Sequence, residues 1–83
     1  MDAKTMQLHI MAGWHYGRDA TCGSKIDYKS EASADRAAGK MMAKGSKELE
    51  AYPCAWCTGW HIGRKMTEKE KSVFNELILM LGP

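Results

Sequence analysis

The residues best suited to metal binding lie in one short stretch of the chain, Tyr52 to Arg64. Two thiols separated by two residues can face the same ion, and three further residues allow the chain to turn an imidazole back toward that point. The only other cysteine lies far upstream. The resulting pattern, Cys-x31-Cys-x2-Cys-x3-His, predicts one structural zinc ion (Zn²⁺) with four ligands: Cys22, Cys54, Cys57 and His61.

Length and cysteine count favour a metal over disulfides. A chain of 83 residues forms a single domain, here 1–83, and buries only about 60% of the surface that its unfolded form exposes. Such a small core needs an additional source of stability. Three cysteines cannot all form disulfides within one chain, whereas three thiolates and one imidazole complete a zinc shell. Free thiols also persist in reducing compartments, so we expect a cytoplasmic protein.

Other chemistry of a Cys-x2-Cys pair fits the sequence less well. A redox dithiol usually begins a helix, which Pro53 and Gly63 disfavour, so it stays a minor alternative. Haem attachment needs histidine at the position of Thr58. Zinc deaminases share the Pro-Cys-x2-Cys element but also have a His-x-Glu motif. Neither His9 nor His15 has a glutamate two positions later. We therefore expect no enzyme, with a zinc hydrolase or deaminase as a distant alternative.

A second histidine competes with His61 for the metal. Residues Gly13 to Arg18 read Gly-Trp-His-Tyr-Gly-Arg, and residues Gly59 to Arg64 differ from them at one position. His15 is therefore an alternative fourth ligand, although the short spacing to Cys57 favours His61. The self-match also suggests two similar strands flanking the site, and coincidence remains open because nothing outside the hexapeptides matches.

Periodicity predicts the elements that must position these ligands. Alternation over Met6 to Ile10 indicates a strand, residues 14–25 a hairpin or knuckle carrying Cys22, and residues 26–28 a short strand. A helix is expected from the Ser30 cap to Gly45, with an apolar face formed by Ala34, Ala37, Ala38, Met41 and Met42.

The strands around the knuckle and a last helix complete the predicted fold. Residues 48–52 and 60–64 can pair as strands, and a Thr67/Glu70 capping box starts a helix that Gly82 and Pro83 end. This predicts a small α+β, zinc-finger-like domain: short antiparallel strands around one structural zinc, one inserted helix and one C-terminal helix. The zinc module covers about 14–65 and the C-terminal helix about 67–81.

The motifs Cys22-x2-Lys25-x2-Tyr28 and Tyr52-x-Cys54-x2-Cys57-x2-Trp60-His61-x-Gly63 resemble a group of proteins from bacteriophages and bacteria. These are small, largely uncharacterised proteins that end in such a knuckle. The resemblance covers about half of the chain, residues 22–64. It implies a zinc-binding module with the same four ligands, and it implies no reaction.

Two kinds of surface are candidates for binding. Arg36, Lys40 and Lys44 recur at helical spacing and form a basic stripe, which we expect to be either a solvated helix face or a contact for DNA or RNA. Further tentative contacts are Arg18, Trp56, Arg64 and Lys65. The last helix carries more apolar residues than a tiny core needs, which suggests a homodimer or a partner protein.

From these surfaces we expect a regulatory protein, encoded by a phage or a bacterium. It would bind and modulate a host protein, which could belong to a nucleic-acid machine, and direct nucleic-acid binding is the alternative. The longest apolar block, residues 77–81, is too short to cross a membrane, which needs about 20 residues.

Overall fold

A computed structural model describes residues 1–23 and 25–81 of the chain. In chain order the elements are helix α1 (Ala3–Tyr16), a single π-helical turn (Asp19–Gly23), helix α2 (Glu31–Ala43), strands β1 (Leu49–Pro53) and β2 (Trp60–Arg64), and helix α3 (Glu68–Leu81). The predicted α+β class, with an inserted helix between antiparallel elements and a C-terminal helix, is confirmed.

The two strands on either side of the knuckle form an antiparallel pair. Their register places Leu49 opposite Arg64 and Tyr52 opposite His61. Pro53 can end β1 because a proline has no N–H for further pairing. The predicted strand at 26–28 is reduced to one bridge, in which Tyr28 exchanges backbone hydrogen bonds of 2.9 and 2.8 Å with Trp60.

Helix α2 begins and ends as its sequence predicts. The Ser30 hydroxyl accepts a hydrogen bond from the Ser33 N–H at 3.2 Å, which satisfies one of the free donors of the first turn. At the other end Gly45 has a φ of 108°, a conformation that glycine adopts readily. Ala34 and Ala38 are buried, whereas Met41 and Met42 are exposed, so the apolar face is narrower than predicted.

The start of α3 is the predicted capping box. The Thr67 hydroxyl accepts from the Glu70 N–H at 3.1 Å, and the Glu70 carboxylate accepts from the Thr67 N–H at 3.1 Å. The Thr67 backbone N–H, followed by the Arg64 guanidinium, lowers the pKa of Glu70. Ser24, Gly82 and Pro83 lie outside the described residues, and so does the predicted end of this helix.

The strand predicted for Met6 to Ile10 is wrong, because these residues belong to α1. The Asp2 carboxylate caps the helix by accepting the Thr5 N–H at 2.7 Å. Leu8, Met11 and Ala12 are buried, a helical i, i+3, i+4 spacing. A short apolar run fits both the two-residue period of a strand and the 3.6-residue period of a helix. Here packing in the core with Phe74 of α3 selects the helix.

The predicted pair of similar strands in the two hexapeptides is also wrong. Gly13 to Tyr16 form the last turn of α1, which ends at Gly17 with a φ of 91°, whereas residues 60–64 form β2. Residues 14–25 accordingly form no hairpin over their described part, and Cys22 lies on the π-helical turn. Nearly identical sequences take different conformations because one packs on a helix and the other pairs with a strand.

The layers of the fold meet at the sheet. Glu50 and Tyr52 of β1 face α1, where His9 contacts both, and neighbouring positions of the strand face α2. The main core lies between α1 and α3 and consists of Leu8, Met11, Ala12, Met66 and Phe74. Within residues 1–23 and 25–81, no helix combines the length and apolarity needed to cross a membrane.

Helix α1 reaches the knuckle through a glycine. A Cβ atom at Gly13 would lie 2.8 Å from the Ala55 Cβ, closer than packed carbon atoms approach. The Gly13 carbonyl also accepts the Trp56 indole N–H at 2.9 Å. The close approach therefore joins the end of α1 to the knuckle.

Gly13→Ala should destabilise the protein by about 1–3 kcal/mol through overpacking, even though alanine favours helix by about 1 kcal/mol. Gly39→Ala is the matched control, because Gly39 lies in α2 with open space around its Cβ position, and it should be neutral or stabilising. Urea unfolding measures both. Adding Ala55→Gly should restore the stability of Gly13→Ala, and equal behaviour of the two alanine variants would contradict the contact.

Candidate metal centre

Four donor atoms from distant parts of the chain converge on one point. The Sγ atoms of three cysteines and one imidazole nitrogen all lie within 4.8 Å of one another; the residues are Cys22, Cys54, Cys57 and His61. The Cys57 Sγ and His61 Nε2 are 3.5 Å apart. A tetrahedron with metal bonds of about 2.3 Å to sulfur and about 2.0 Å to nitrogen has an S···N edge of about 3.5 Å. The cluster can therefore hold one metal ion.

Backbone N–H groups shape the knuckle. The Sγ of Cys54 accepts hydrogen bonds from the N–H groups of Trp56 at 3.2 Å and Cys57 at 3.3 Å. The Sγ of Cys57 accepts one from the Gly59 N–H at 3.4 Å. The Cys54 N–H in turn donates to the Gly59 carbonyl at 3.1 Å, which closes the loop. The two sulfurs are thus held by the turn that separates β1 from β2.

Gly59 allows the knuckle to pack closely against the segment before α2. A Cβ atom at this position would lie 1.5 Å from the Asp27 carboxylate oxygen and 3.0 Å from the Tyr28 carbonyl oxygen. A side chain at this position would displace the Asp27 carboxylate and would be tight against the Tyr28 backbone. This glycine therefore lets residues 25–28 approach the metal ligands.

The imidazole of His61 is oriented by a backbone carbonyl. Its side chain is 1% exposed, and Nδ1 lies 2.7 Å from the Ile26 carbonyl oxygen. A carbonyl oxygen only accepts, so Nδ1 carries the proton and Nε2 presents its lone pair toward Cys57 Sγ. Such an outer hydrogen bond is usual for a metal-binding histidine.

Cys22 is positioned through the residue that precedes it. The Tyr52 hydroxyl donates to the Thr21 carbonyl at 2.7 Å, and the Thr21 hydroxyl donates to the Gly17 carbonyl at 2.8 Å. The Tyr52 ring in turn stacks on His9, with centroids 5.3 Å apart. The π-helical turn is thereby tied to β1 and α1, which brings this thiol to the knuckle.

The pKa values of Cys54 and Cys22 are shifted in opposite directions in the cluster. Burial opposes ionisation of Cys54, but N–H groups of Trp56 and Cys57 outweigh it and lower the pKa of this thiol to about 7. A hydrogen bond to Cys54, together with burial, raises the pKa of Cys22 to about 11. The Cys54 thiolate therefore forms readily, and a cation is needed to ionise Cys22 at neutral pH.

Tyr52 stays a hydrogen-bond donor at the pH values where Cys54 and Cys22 ionise. Burial, followed by the charge of nearby thiolates, raises the pKa of its hydroxyl well above the usual range. A protonated hydroxyl is required for its bond to Thr21.

The other histidines lie outside the cluster. His15 is exposed and its ring contacts Phe74, with centroids 5.6 Å apart, so the two similar hexapeptides contribute one metal-site residue between them. His9 is buried, and its Nε2 lies 2.8 Å from the Glu50 carboxylate. It is a packed histidine, although on a helix and not on the predicted strand.

The candidate binding residues stand on several elements. Arg36 and Lys40 are exposed on α2, and Lys44 is exposed at its C-cap. Arg18 follows α1 and Lys65 follows β2. Arg64 ends β2 and forms an ion pair with Glu70 at 3.1 Å. Trp56 is 45% exposed at the knuckle, and its indole N–H is used by the Gly13 carbonyl.

The sequence did not predict three groups that position the metal ligands: the Tyr52 hydroxyl, the Ile26 carbonyl and Gly59. Tyr52 and Gly59 stand within the knuckle stretch, so their proximity to the cysteines was the available signal. The Ile26 carbonyl has no signal in sequence, because any residue supplies a carbonyl.

Fold and site together define a small α+β domain with a Cys3His cluster that can hold one metal ion. Comparisons with protein-family models, curated proteins and solved structures find no match to this chain.

Tyr52→Phe should lower the affinity for a divalent metal ion about tenfold, because the Thr21 carbonyl loses its donor and Cys22 is less firmly placed. Tyr16→Phe is the control, since it removes a longer, exposed hydrogen bond to Glu70 at 3.4 Å. Competition with a chromophoric chelator measures both affinities. An unchanged affinity in Tyr52→Phe would remove this hydroxyl from the site.

Proposed function

We propose that the cluster binds one structural Zn²⁺ and that the zinc-stabilised domain binds and modulates a macromolecular partner. The convergence of four donor atoms within 4.8 Å carries the first part of the proposal. Three soft thiolates and an imidazole suit zinc better than magnesium or calcium, which prefer oxygen ligands. Ligation requires reduced thiols, and all three cysteines are free, so we place the protein in a reducing compartment such as the cytoplasm.

A structural role for the metal follows from the number of protein ligands. Catalytic zinc sites keep one position open for water or substrate, whereas four protein donors close the shell. The hydrogen bonds to Cys54 Sγ and from His61 Nδ1 fix the positions of these metal-binding atoms. We therefore propose no enzymatic activity for this centre.

The metal would stabilise a fold whose own core is small. The main cluster has five buried residues, and the turn bearing Cys22 contains no buried residue. Zinc binding would therefore contribute to folding directly, since the ligands come together only in the native state. Apparent binding free energies of structural zinc reach about 10 kcal/mol or more.

Paired histidine variants test the zinc site. Native mass spectrometry should show one Zn²⁺ on the wild-type chain and on His15→Ala, and a much weaker, chelator-sensitive ion on His61→Ala. Circular dichroism with added EDTA should show unfolding of the wild type. The substitutions fall in nearly identical hexapeptides, so local sequence is controlled. Absence of stoichiometric zinc, or wild-type affinity in His61→Ala, would refute the proposal.

A protein partner is supported by apolar side chains that the fold leaves uncovered. Leu79, Met80 and Leu81 at the end of α3 are 69%, 79% and 73% exposed, and Trp14 of α1 is exposed as well. Exposed apolar clusters commonly mark protein contacts. We propose a host protein as the partner. Self-association of the chain would use the same exposed residues at the end of α3.

Direct nucleic-acid binding is the second candidate function, supported by the basic stripe of α2. Arg36, Lys40 and Lys44 are exposed, and within the described part of the chain none of them forms an ion pair. Unpaired cations on one helix face can contact successive phosphates.

Titration of duplex DNA and single-stranded RNA at several salt concentrations tests this alternative. If the stripe binds phosphates, replacing its three residues with Gln should reduce the salt slope by about 2–3, and Lys4→Gln with Lys69→Gln should leave it unchanged. Lack of binding even at low salt would leave the protein-partner proposal alone.

A further inference from the structure

A groove beside helix α2 is distinct from the metal cluster. It has a volume of about 430 Å³ and lies between the end of α2, the face of the sheet and residues 25–28. Its apolar walls are formed by Ile26, Met41, Leu49 and Ile62. The space is large enough for one or two apolar side chains of a partner.

The groove exists because α2 covers the sheet unevenly. The helix packs mainly on β1, and Ala34 and Ala38 form its buried contacts. The outer part of β2 therefore keeps an apolar floor at Ile62 beside the exposed Met41. Partner side chains could enter without any rearrangement of the helix.

Ile26 is presented to solvent by the geometry of the metal site. The Ile26 carbonyl is held by His61 Nδ1 at 2.7 Å. The N–H and the carbonyl of Tyr28 both form hydrogen bonds with the backbone of Trp60. These backbone bonds fix the segment, and the Ile26 side chain stays 66% exposed at the rim of the groove. An exposed isoleucine on a fixed backbone can bind without a large ordering cost.

In the part of the chain that the structure describes, both charged side chains that line the groove are positive: Lys25 and Arg64. Lys25 donates to the Ile62 carbonyl at 3.4 Å and has no carboxylate partner among the described residues, whereas Arg64 shares its charge with Glu70. Lys44, the C-cap residue of α2, lies three positions after Met41. Asp27, beside the rim, is paired with Lys29 at 3.3 Å.

We infer that this groove binds a peptide segment of a partner protein that carries one or two apolar side chains next to carboxylates. The apolar side chains would fill the space between Met41 and Ile62, and the carboxylates would face Lys25 and Arg64. The inference rests on the proposed zinc-stabilised interaction function, because the same histidine that ligates the metal holds Ile26.

The lining favours an acidic peptide over nucleic acid. Apart from Tyr28, the walls are aliphatic, so they provide little surface on which bases could stack. The most exposed tryptophans stand elsewhere: the Trp56 indole donates to the Gly13 carbonyl of α1, and Trp14 lines a different cavity together with Ile78 of α3. Aliphatic walls with cations at the rim suit apolar anchors flanked by acidic residues.

A library of random 12-residue peptides displayed on phage, selected against the zinc-loaded full chain, tests the inference. Enriched peptides should combine Leu, Ile or Phe with Asp or Glu. Their affinity should fall at least tenfold in Lys25→Glu and in Ile26→Ser. Lys69→Glu, a charge reversal on α3 outside the groove, should leave it within twofold. Zinc content measured on every variant shows that the fold is kept.

Each other outcome overturns a defined part of the proposal. Zinc-loaded protein that enriches no peptide, or peptides that bind Lys25→Glu and Ile26→Ser as well as wild type, removes the groove but leaves the zinc proposal standing. Binding of the oligonucleotide (dT)12 that is lost in Lys25→Glu, without peptide enrichment, makes the surface a nucleic-acid site. A wild-type chain that is folded but binds no stoichiometric zinc refutes the zinc proposal and, with it, the inference that rests on it.

Discussion

The meeting of Cys22 with the knuckle is the interaction on which the other features of this domain depend. Thirty-one residues separate this thiol from Cys54, and they include the whole of α2. Bringing the two together closes a long loop, which costs conformational entropy that a metal bond can offset. Once closed, the loop places α2 against the sheet and residues 25–28 beside β2.

The outer hydrogen bonds link this meeting point to α1 and to the segment before α2. The Tyr52 ring stacks on His9 of α1 while its hydroxyl holds the turn of Cys22. His61 lies opposite Tyr52 in the strand pair, and its imidazole holds the Ile26 carbonyl and so the rim of the groove. A change at the metal would therefore reach both α1 and the proposed peptide-binding surface through fixed contacts. The proposed partner site and the proposed zinc site are then parts of one structure.

Small size explains why the domain relies on such contacts. The core between α1 and α3 is built from few side chains, of which Phe74 is the most buried at 2% exposure. Much of α3 beyond it is left uncovered. A domain of this length cannot bury all of its apolar residues. The remaining ones are available for binding, and the basic residues of α2 and the groove add a charge preference to that binding.

The sequence by itself determined the features that depend on local chemistry. The spacing of Cys54, Cys57 and His61, the Ser30 and Thr67 caps, the Gly45 terminus and the strands around Pro53 could all be predicted, because each involves residues a few positions apart. Cys22 could be added as the one remaining cysteine of the sequence. Only the tertiary structure decided the conformation of α1, since its apolar run fits a strand and a helix equally and burial against Phe74 selected the helix. For the same reason similar hexapeptides became a helix end and a strand, and only one of their histidines reached the cluster. The Ile26 carbonyl and the groove above it arise from contacts between distant segments, which no local pattern encodes.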